Sequence, residues 1–248
     1  MRLLAATDFT GDGRADILAA NTNGNLYLYP GNGKNGITGS SVVGSGWGGI
    51  RLIAADFNGD KKGDLVAAHT NGNLFFYPGN GKNFASGSVS STGWTNMRML
   101  SAGDFTGDGK ADIYAVHNSG DLYLYAGKGN GTFHTSRKAG AGWQNMRLLS
   151  EADFNGDQKS DLIAIHTNGN IHAYSGNDNG GFGTPIVTPP QSSNRQMSGC
   201  GWVLRYDFGA FHLNRCNAPK SYVSCGACSP HFYRRSQQLV GDGEMTRT

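Results

Sequence analysis

Four stretches concentrate the oxygen donors of this 248-residue chain: DFTGDGRAD from Asp8, DFNGDKKGD from Asp56, DFTGDGKAD from Asp104 and DFNGDQKSD from Asp153. Counted from the first aspartate, side-chain oxygens stand at positions 1, 3, 5 and 9. They belong to Asp8, Thr10, Asp12 and Asp16; Asp56, Asn58, Asp60 and Asp64; Asp104, Thr106, Asp108 and Asp112; and Asp153, Asn155, Asp157 and Asp161. Alternate residues face one point when the chain curls. With the backbone carbonyl of position 7 (Arg14, Lys62, Lys110, Lys159) and a water, such a loop supplies the about 6–8 hard oxygen ligands that Ca²⁺ takes, whereas Mg²⁺ keeps more of its water. Three carboxylates brought together without a cation repel one another, which costs stability or raises a pKa. The pattern therefore implies a calcium ion in each of about four sites. Asp-Gly and Asn-Gly clusters also make ordinary turns; four copies in one register argue for more than that.

An EF-hand shares the first half of the pattern but needs a carboxylate at position 12 and flanking helices. Here position 12 is Ala19, Ala67, Ala115 and Ala164, and the flanks read as strands, so an EF-hand is excluded. Position 6, where the backbone turns sharply, is Gly13 and Gly109 in two copies but Lys61 and Gln158 in the others. Positive φ is costly for a side-chain-bearing residue, so the second and fourth loops are expected to bind more weakly.

The loops start 48, 48 and 49 residues apart. A fixed period of this size marks a solenoid, propeller or array whose units bury their apolar faces on one another. Each period opens on an apolar run such as Arg51-Leu52-Ile53-Ala54-Ala55, passes through the acidic loop, and continues with a second run such as Leu65-Val66-Ala67-Ala68. A turn follows at Asn23-Gly24, Asn71-Gly72, Ser119-Gly120 or Asn168-Gly169. Asn-Gly between apolar runs favours a type I′ hairpin, with positive φ at both central residues. Alternating runs such as Leu26-Tyr27-Leu28-Tyr29, a Gly-Asn-Gly loop and a fourth run leading to Gly-Trp at Trp47, Trp94 and Trp143 complete four short strands. Four-stranded units of about 40–50 residues match propeller blades. The fold class is all-β, with repeats at about 1–48, 49–96, 97–145 and 146–190, read as a partial propeller, and a tail from 191 to 248. Met1-Arg2-Leu3-Leu4 stands where Met97-Arg98-Met99-Leu100 and Met146-Arg147-Leu148-Leu149 stand, so Met1 reads as internal to a longer array, with no secretory signal before it.

The net charge of +3 hides a split. Residues 1–190 carry 14 basic and 15 acidic residues, and residues 191–248 carry 7 and 3. Twelve of the 18 acids lie in the four loops, which points to a cation and not to nucleic acid as the partner of the repeats. No long apolar stretch suggests a membrane span. All four cysteines, Cys200, Cys216, Cys225 and Cys228, lie in the tail, where with His231 they could make a zinc site or two disulfides. The period fails there: Trp202 and Asp207-Phe208 echo the repeat landmarks at the wrong spacing, and a foreign reading frame is an alternative origin for the segment.

The motif Asp-Phe-Asn/Thr-Gly-Asp-Gly-x-x-Asp-Ile/Leu followed by a hairpin resembles the FG-GAP or VCBS repeats of integrin-like propellers over about residues 1–190. The resemblance implies that the loop lies between the first two strands of each blade. It also implies rings usually closed by seven blades, of which four are present here. The Gly-Trp and Leu-Tyr-Leu-Tyr elements are similar to secreted microbial arrays and to fungal propeller lectins of the Psathyrella velutina type, which implies glycans or glycoproteins bound between blades and a secreted or cell-surface location.

Trp47, Trp94 and Trp143 could stack on sugar rings or pack blade on blade. His69, His117 and His166, in one register with Asn21, could hydrogen-bond sugar hydroxyls or serve the turn. Tyr27, Tyr123 and Phe75 read as packing residues. No Ser, His and Asp set assembles, and the only acids of the repeats outside the loops are Asp121, Glu151 and Asp178, so no catalytic residue is expected. The reading is a calcium-stabilised, lectin-like binding module. Its rivals are a protein-contacting adhesion or accessory module of a secreted hydrolase and a metal-assisted hydrolase, which would need open coordination and a general base; self-association could complete the propeller.

Overall fold

The computed structural model describes residues 3–190, 202–207 and 210–215. The chain divides into two compact units, Met1–Pro190 and Gln191–Thr248. The first unit holds four antiparallel sheets of four strands, each in sequence order. Blade 1 is β1 (Leu3–Thr7), β2 (Asp16–Ala20), β3 (Leu26–Tyr29) and β4 (Ser41–Gly44); blade 2 is β5 (Arg51–Ala55), β6 (Asp64–Ala68), β7 (Leu74–Tyr77) and β8 (Ser88–Ser91). Blade 3 is β9 (Met97–Gly103), β10 (Asp112–His117), β11 (Leu122–Tyr125) and β12 (Arg137–Gly140); blade 4 is β13 (Met146–Ala152), β14 (Asp161–His166), β15 (Ile171–Tyr174) and β16 (Ile186–Thr188). This is an all-β propeller architecture of four four-stranded blades. In the second unit, β17 (Trp202–Asp207) pairs with β18 (Ala210–Arg215) as a two-stranded ribbon. The zinc and disulfide alternatives at Cys200, Cys216, Cys225, Cys228 and His231 lie outside the described residues. Among the described residues no helix is long and apolar enough to cross a membrane.

The second strand of blade 2, Asp64–Ala68, is buried on both faces, with every residue inaccessible, and that of blade 3 departs from this only at His117. This follows from its central place between neighbouring blades, and it explains why the strand reads as a continuous apolar run. The third strand alternates buried Leu with half-buried aromatic residues, as Leu26-Tyr27-Leu28-Tyr29 does, because its side chains point to opposite faces in turn. The innermost strands pack in series, β1 on β5, β5 on β9 and β9 on β13, and no comparable packing joins β13 back to β1 among the described elements. Three apolar clusters fill the three junctions: Leu18, Ala20, Leu26 and Leu28 against Leu65 and Ala67; Val66, Ala68, Leu74 and Phe76 against Ile113 and Ala115; and Tyr114, Val116, Leu122 and Leu124 against Leu162 and Ala164.

The hairpin between second and third strands differs from the two-residue turn expected. Gly24 has φ 80° but Asn23 is not left-handed, and the same holds for Gly72, Gly120 and Gly169. The amide of Asn21 donates to the Asn25 carbonyl and that of Gly24 to the Asn21 carbonyl. The connection is thus a three-residue loop, a type I turn closed by one left-handed glycine. A side chain before the turn decides this: Asn21 Oδ1 accepts the amides of Asn23 and Asn25, each at 3.0 Å, and so satisfies the turn locally.

The turn also places the tryptophans. The amides of Trp47, Trp94 and Trp143 each donate at 2.9 Å to the carbonyls of Gly24, Gly72 and Gly120. The rings then lie on Tyr77, Tyr125 and Tyr174 of the following blade, with centroids 5.0, 4.5 and 4.8 Å apart. Trp94 is 1% exposed and fastens blade 2 to blade 3. Trp94→Ala is expected to lower folding stability by about 3–5 kcal/mol, measured by chemical denaturation.

Candidate metal loops and the clefts between blades

Each acidic loop joins the first strand of its blade to the second. The position-9 carboxylates of Asp16, Asp64, Asp112 and Asp161 are at most 1% exposed. One oxygen accepts amides at the start of its own loop: Thr10 at 2.8 Å, Phe57 at 3.0 Å, Phe105 at 3.0 Å and Phe154 at 2.8 Å, respectively. The other accepts the amides of Gly31, Gly79, Gly127 and Gly176, each 15 residues further on, at 2.8–2.9 Å. This second partner was not anticipated from the sequence, although the constant separation in all four repeats is its signal. Glycine is required there: a Cβ on Gly79 would meet the Gly63 carbonyl oxygen at 2.1 Å.

Position 1 organises the curl. Asp8 Oδ1 accepts the Gly11 and Asp12 amides at 2.7 and 3.1 Å, and Oδ2 accepts the Gly13 amide at 2.7 Å. Asp56 repeats this with Gly59, Asp60 and Lys61, and Asp104 and Asp153 reach the position-6 amides of Gly109 and Gln158. Position 6 is left-handed in every loop, with φ 80° at Gly13, 65° at Lys61, 78° at Gly109 and 68° at Gln158. The backbone is therefore the same whether or not glycine is present, and Lys61 and Gln158 carry the steric cost.

Position 5 points outward. Asp12, Asp60 and Asp108 pair with the position-7 side chains of Arg14, Lys62 and Lys110 at 3.3, 3.8 and 2.8 Å, while Lys159 pairs with Asp178 at 3.4 Å and leaves Asp157 aside. The Lys110 ammonium holds the Asp108 carboxyl below the usual range. These exposed pairs contribute little to stability.

Among the described residues no three His, Cys, Asp or Glu side chains converge as a set able to hold an ion. The carboxylates here turn onto loop amides. Each nevertheless keeps lone pairs beyond those the amides use. Position 3 departs from this satisfied pattern. Asn58 and Asn155 accept the position-5 amides at 2.9 and 2.8 Å, but Thr10 Oγ1 is buried with no hydrogen-bond partner. A buried hydroxyl without a partner is costly, and an oxygen-seeking cation inside the loop would relieve it. The donors are all hard oxygens, so they fit Ca²⁺.

Burial, with a smaller contribution from neighbouring charge, raises two of the position-9 carboxylates. Burial pushes Asp64 up to about 6, against the Gly79 and Phe57 amides, and the neighbouring Asp60 and Asp56 charges add to the rise. Asp112 is raised chiefly by burial, with Asp108 contributing.

The tryptophans proposed as sugar platforms have their faces covered: Trp47, Trp94 and Trp143 are 7%, 1% and 5% exposed. Each ring packs on a tyrosine of the next blade, as the packing alternative of the two readings expects. His117 Nδ1 and His166 Nδ1 accept the amides of Ser119 and Asn168 at 3.1 and 3.2 Å; they cap the hairpin turn as Asn21 does in blade 1. His69 differs: its Nε2 lies 2.9 Å from the Tyr77 hydroxyl, and burial lowers its pKa. Its ring borders a cleft of about 220 Å³ between blades 1 and 2, lined also by Trp47, Ile50, Tyr77 and Phe84.

Four repeats of strand, acidic loop, strand, hairpin and two further strands define a β-propeller by architecture. The FG-GAP-like repeat model matches residues 8–67, 56–115 and 104–150. The chain belongs to the FG-GAP-like repeat family. No curated protein sequence matches it. Among solved structures, the Photorhabdus luminescens Tc holotoxin pore is similar over 82% of this chain and 10% of its own, with 19% identity and a TM-score of 0.50. The BP39L lectin from Burkholderia pseudomallei is similar over 75% of this chain and 55% of its own, with 17% identity and a TM-score of 0.54. The chain thus spans about a tenth of the toxin chain and about half of the lectin chain, and the likeness is one of fold.

Two outcomes follow from the loop geometry. Without divalent cations, the folded Asp64 keeps its proton up to about pH 6 while the unfolded residue releases it near 3.8. The folded state therefore loses stability as pH rises from about 4 to about 6. The stability difference between wild type and Asp64→Asn should follow that window in EDTA; a difference independent of pH refutes the shift. Lys61→Gly and Gln158→Gly, which relieve the left-handed cost, should each raise stability by about 0.5–1 kcal/mol in urea titrations.

Proposed function

We propose that this chain is a calcium-stabilised, non-catalytic propeller module that binds glycans in clefts between blades, working at the cell surface or after secretion. Each Ca²⁺ would be held by the side chains of positions 1, 3, 5 and 9 and by the carbonyl of Arg14, Lys62, Lys110 or Lys159. The ion supplies positive charge to a loop of three carboxylates and fixes the start of the blade. The loop residues themselves set the curl and bury the position-9 carboxylate, and they leave no group poised to activate a water. The buried, partnerless hydroxyl of Thr10 supports the metal reading.

The cleft beside His69 carries the glycan reading. It combines an apolar wall, Ile50 and Phe84, with ring edges and two adjacent polar groups, the His69 imidazole and the Tyr77 hydroxyl. Sugar rings present one apolar face and a rim of hydroxyls, which suits such a wall with few fixed polar groups. The fold shared with the Burkholderia pseudomallei lectin is in keeping with this use.

Calorimetric titration with Ca²⁺ should give a stoichiometry near four, and free Ca²⁺ at about 100 times Kd should stabilise folding by about 2.7 kcal/mol per site. An unchanged melting temperature on addition of EDTA sinks the metal reading. A glycan array probed with folded, calcium-loaded protein should identify bound sugars, and His69→Ala should weaken the best of them about tenfold with no loss of thermal stability. An array with no binding removes the glycan reading and leaves protein contact as the function of the module.

A further inference from the structure

One small residue distinguishes the first blade junction from the second. Gly44, Ser91 and Gly140 end the outer strands of blades 1 to 3 in one register, opposite Leu26, Leu74 and Leu122, and each stands three residues before its tryptophan. A Cβ on Gly44 would lie 2.5 Å from Trp47 Nε1, and one on Gly140 would lie 3.0 Å from Trp143 Nε1. Blade 2 carries Ser91 at this place, and there Trp94 is 1% exposed, with its Nε1 buried and without a hydrogen-bond partner. In blade 1 the side chain is missing, and Gly44 and Trp47 line the cleft of about 220 Å³ together. The indole N–H is a donor with no acceptor capacity, and its edge stands beside Gly44 while the ring rests on Tyr77.

The histidine register separates the first junction from the third. His69 Nε2 stands 2.9 Å from the Tyr77 hydroxyl in the same cleft, whereas His117 and His166 each spend Nδ1 on a turn amide. Of the three junctions, the first therefore combines an indole edge beside glycine with an imidazole–phenol pair. The described residues that line its cleft include no Asp, Glu, Lys or Arg. At about 220 Å³ the cleft is smaller than the about 300–1,000 Å³ of pockets that enclose drug-sized molecules, so it has room for one sugar ring and not for a chain of them. A hydroxyl both donates and accepts, and the donor-only indole and the imidazole–phenol pair can each find a partner on the rim of such a ring.

We propose that Trp47 determines what this cleft accepts: its indole N–H, left uncovered by Gly44, donates to an oxygen of a single uncharged sugar ring that rests on Ile50 and Phe84, while the His69–Tyr77 pair holds a neighbouring hydroxyl. The inference rests on the glycan reading of the cleft and adds three things to it. The tryptophan acts by its edge and not by its face, the glycine decides whether the cleft is open, and the chain carries one such site, at the junction of blades 1 and 2.

Heteronuclear NMR of the full chain in calcium resolves the indole N–H of each tryptophan, and the probes are the methyl glycosides of the common neutral hexoses, 6-deoxyhexoses and N-acetylhexosamines. The Trp47 resonance should shift saturably with at least one of them, at one sugar per chain, while those of Trp94 and Trp143 stay in place. Trp47→Phe keeps a ring on Tyr77 and should weaken that sugar about tenfold through the loss of one hydrogen bond. Gly44→Ser installs the residue that blade 2 tolerates and should abolish binding at an unchanged melting temperature. Hydrogen exchange without any sugar checks the glycine by itself: the indole proton should exchange fast at Trp47 and slowly at Trp94, and Ser91→Gly should speed the latter. Sugar binding on an array with a silent Trp47 resonance, a Trp94 that responds as Trp47 does, equal exchange at the two indoles, or folded Gly44→Ser that binds as tightly as wild type overturns the inference and leaves the glycan reading in place. A blank array together with no response to any glycoside overturns both.

Discussion

The buried carboxylate at the end of each acidic loop is the constraint on which the rest depends. An aspartate removed from water is tolerated only when donors replace the water, and here the donors are main-chain amides from two segments that would otherwise be independent. One set lies at the start of the loop, and the other is a single glycine beyond the hairpin. Three strands of a blade are thereby tied by one side chain. The amides do not fully offset the burial, as the elevated Asp64 shows, and the loops retain a charge that a hard cation would complement.

Around that staple the blades are assembled by shape. Blades 1–3 each contribute a projecting phenylalanine and a tryptophan, and blades 2–4 each an aliphatic seat with a tyrosine. The same residues serve as core and as interface, which is the general condition of repeat proteins, where a unit cannot bury its apolar face alone. The residues at the two ends therefore have the composition of core residues and the exposure of surface ones.

The repeats are not quite identical. His117 and His166 spend a ring nitrogen on the hairpin turn, whereas His69 turns to Tyr77 and borders the cleft between blades 1 and 2. One register of histidines thus holds two arrangements, which differ in the partner each ring meets within its own blade: Tyr77 for His69, Ser119 for His117 and Asn168 for His166.

Period, strand order and loop positions could all be read in the chain, because each is a local pattern repeated four times: DFTGDGRAD and its copies, the alternation in Leu26-Tyr27-Leu28-Tyr29, and the Gly-Trp that closes a period. Local pattern also settled that position 6 must turn, and Lys61 and Gln158 are left-handed as that requires. The tertiary structure alone decided that the tryptophan rings are covered, that Asp16 reaches Gly31, that the turn holds one left-handed residue and not two, and that Phe154 lies bare while Phe57 does not. These depend on which residues from distant positions or neighbouring blades come together, and a side chain of the same type in the same register is core or surface according to whether a blade stands opposite it.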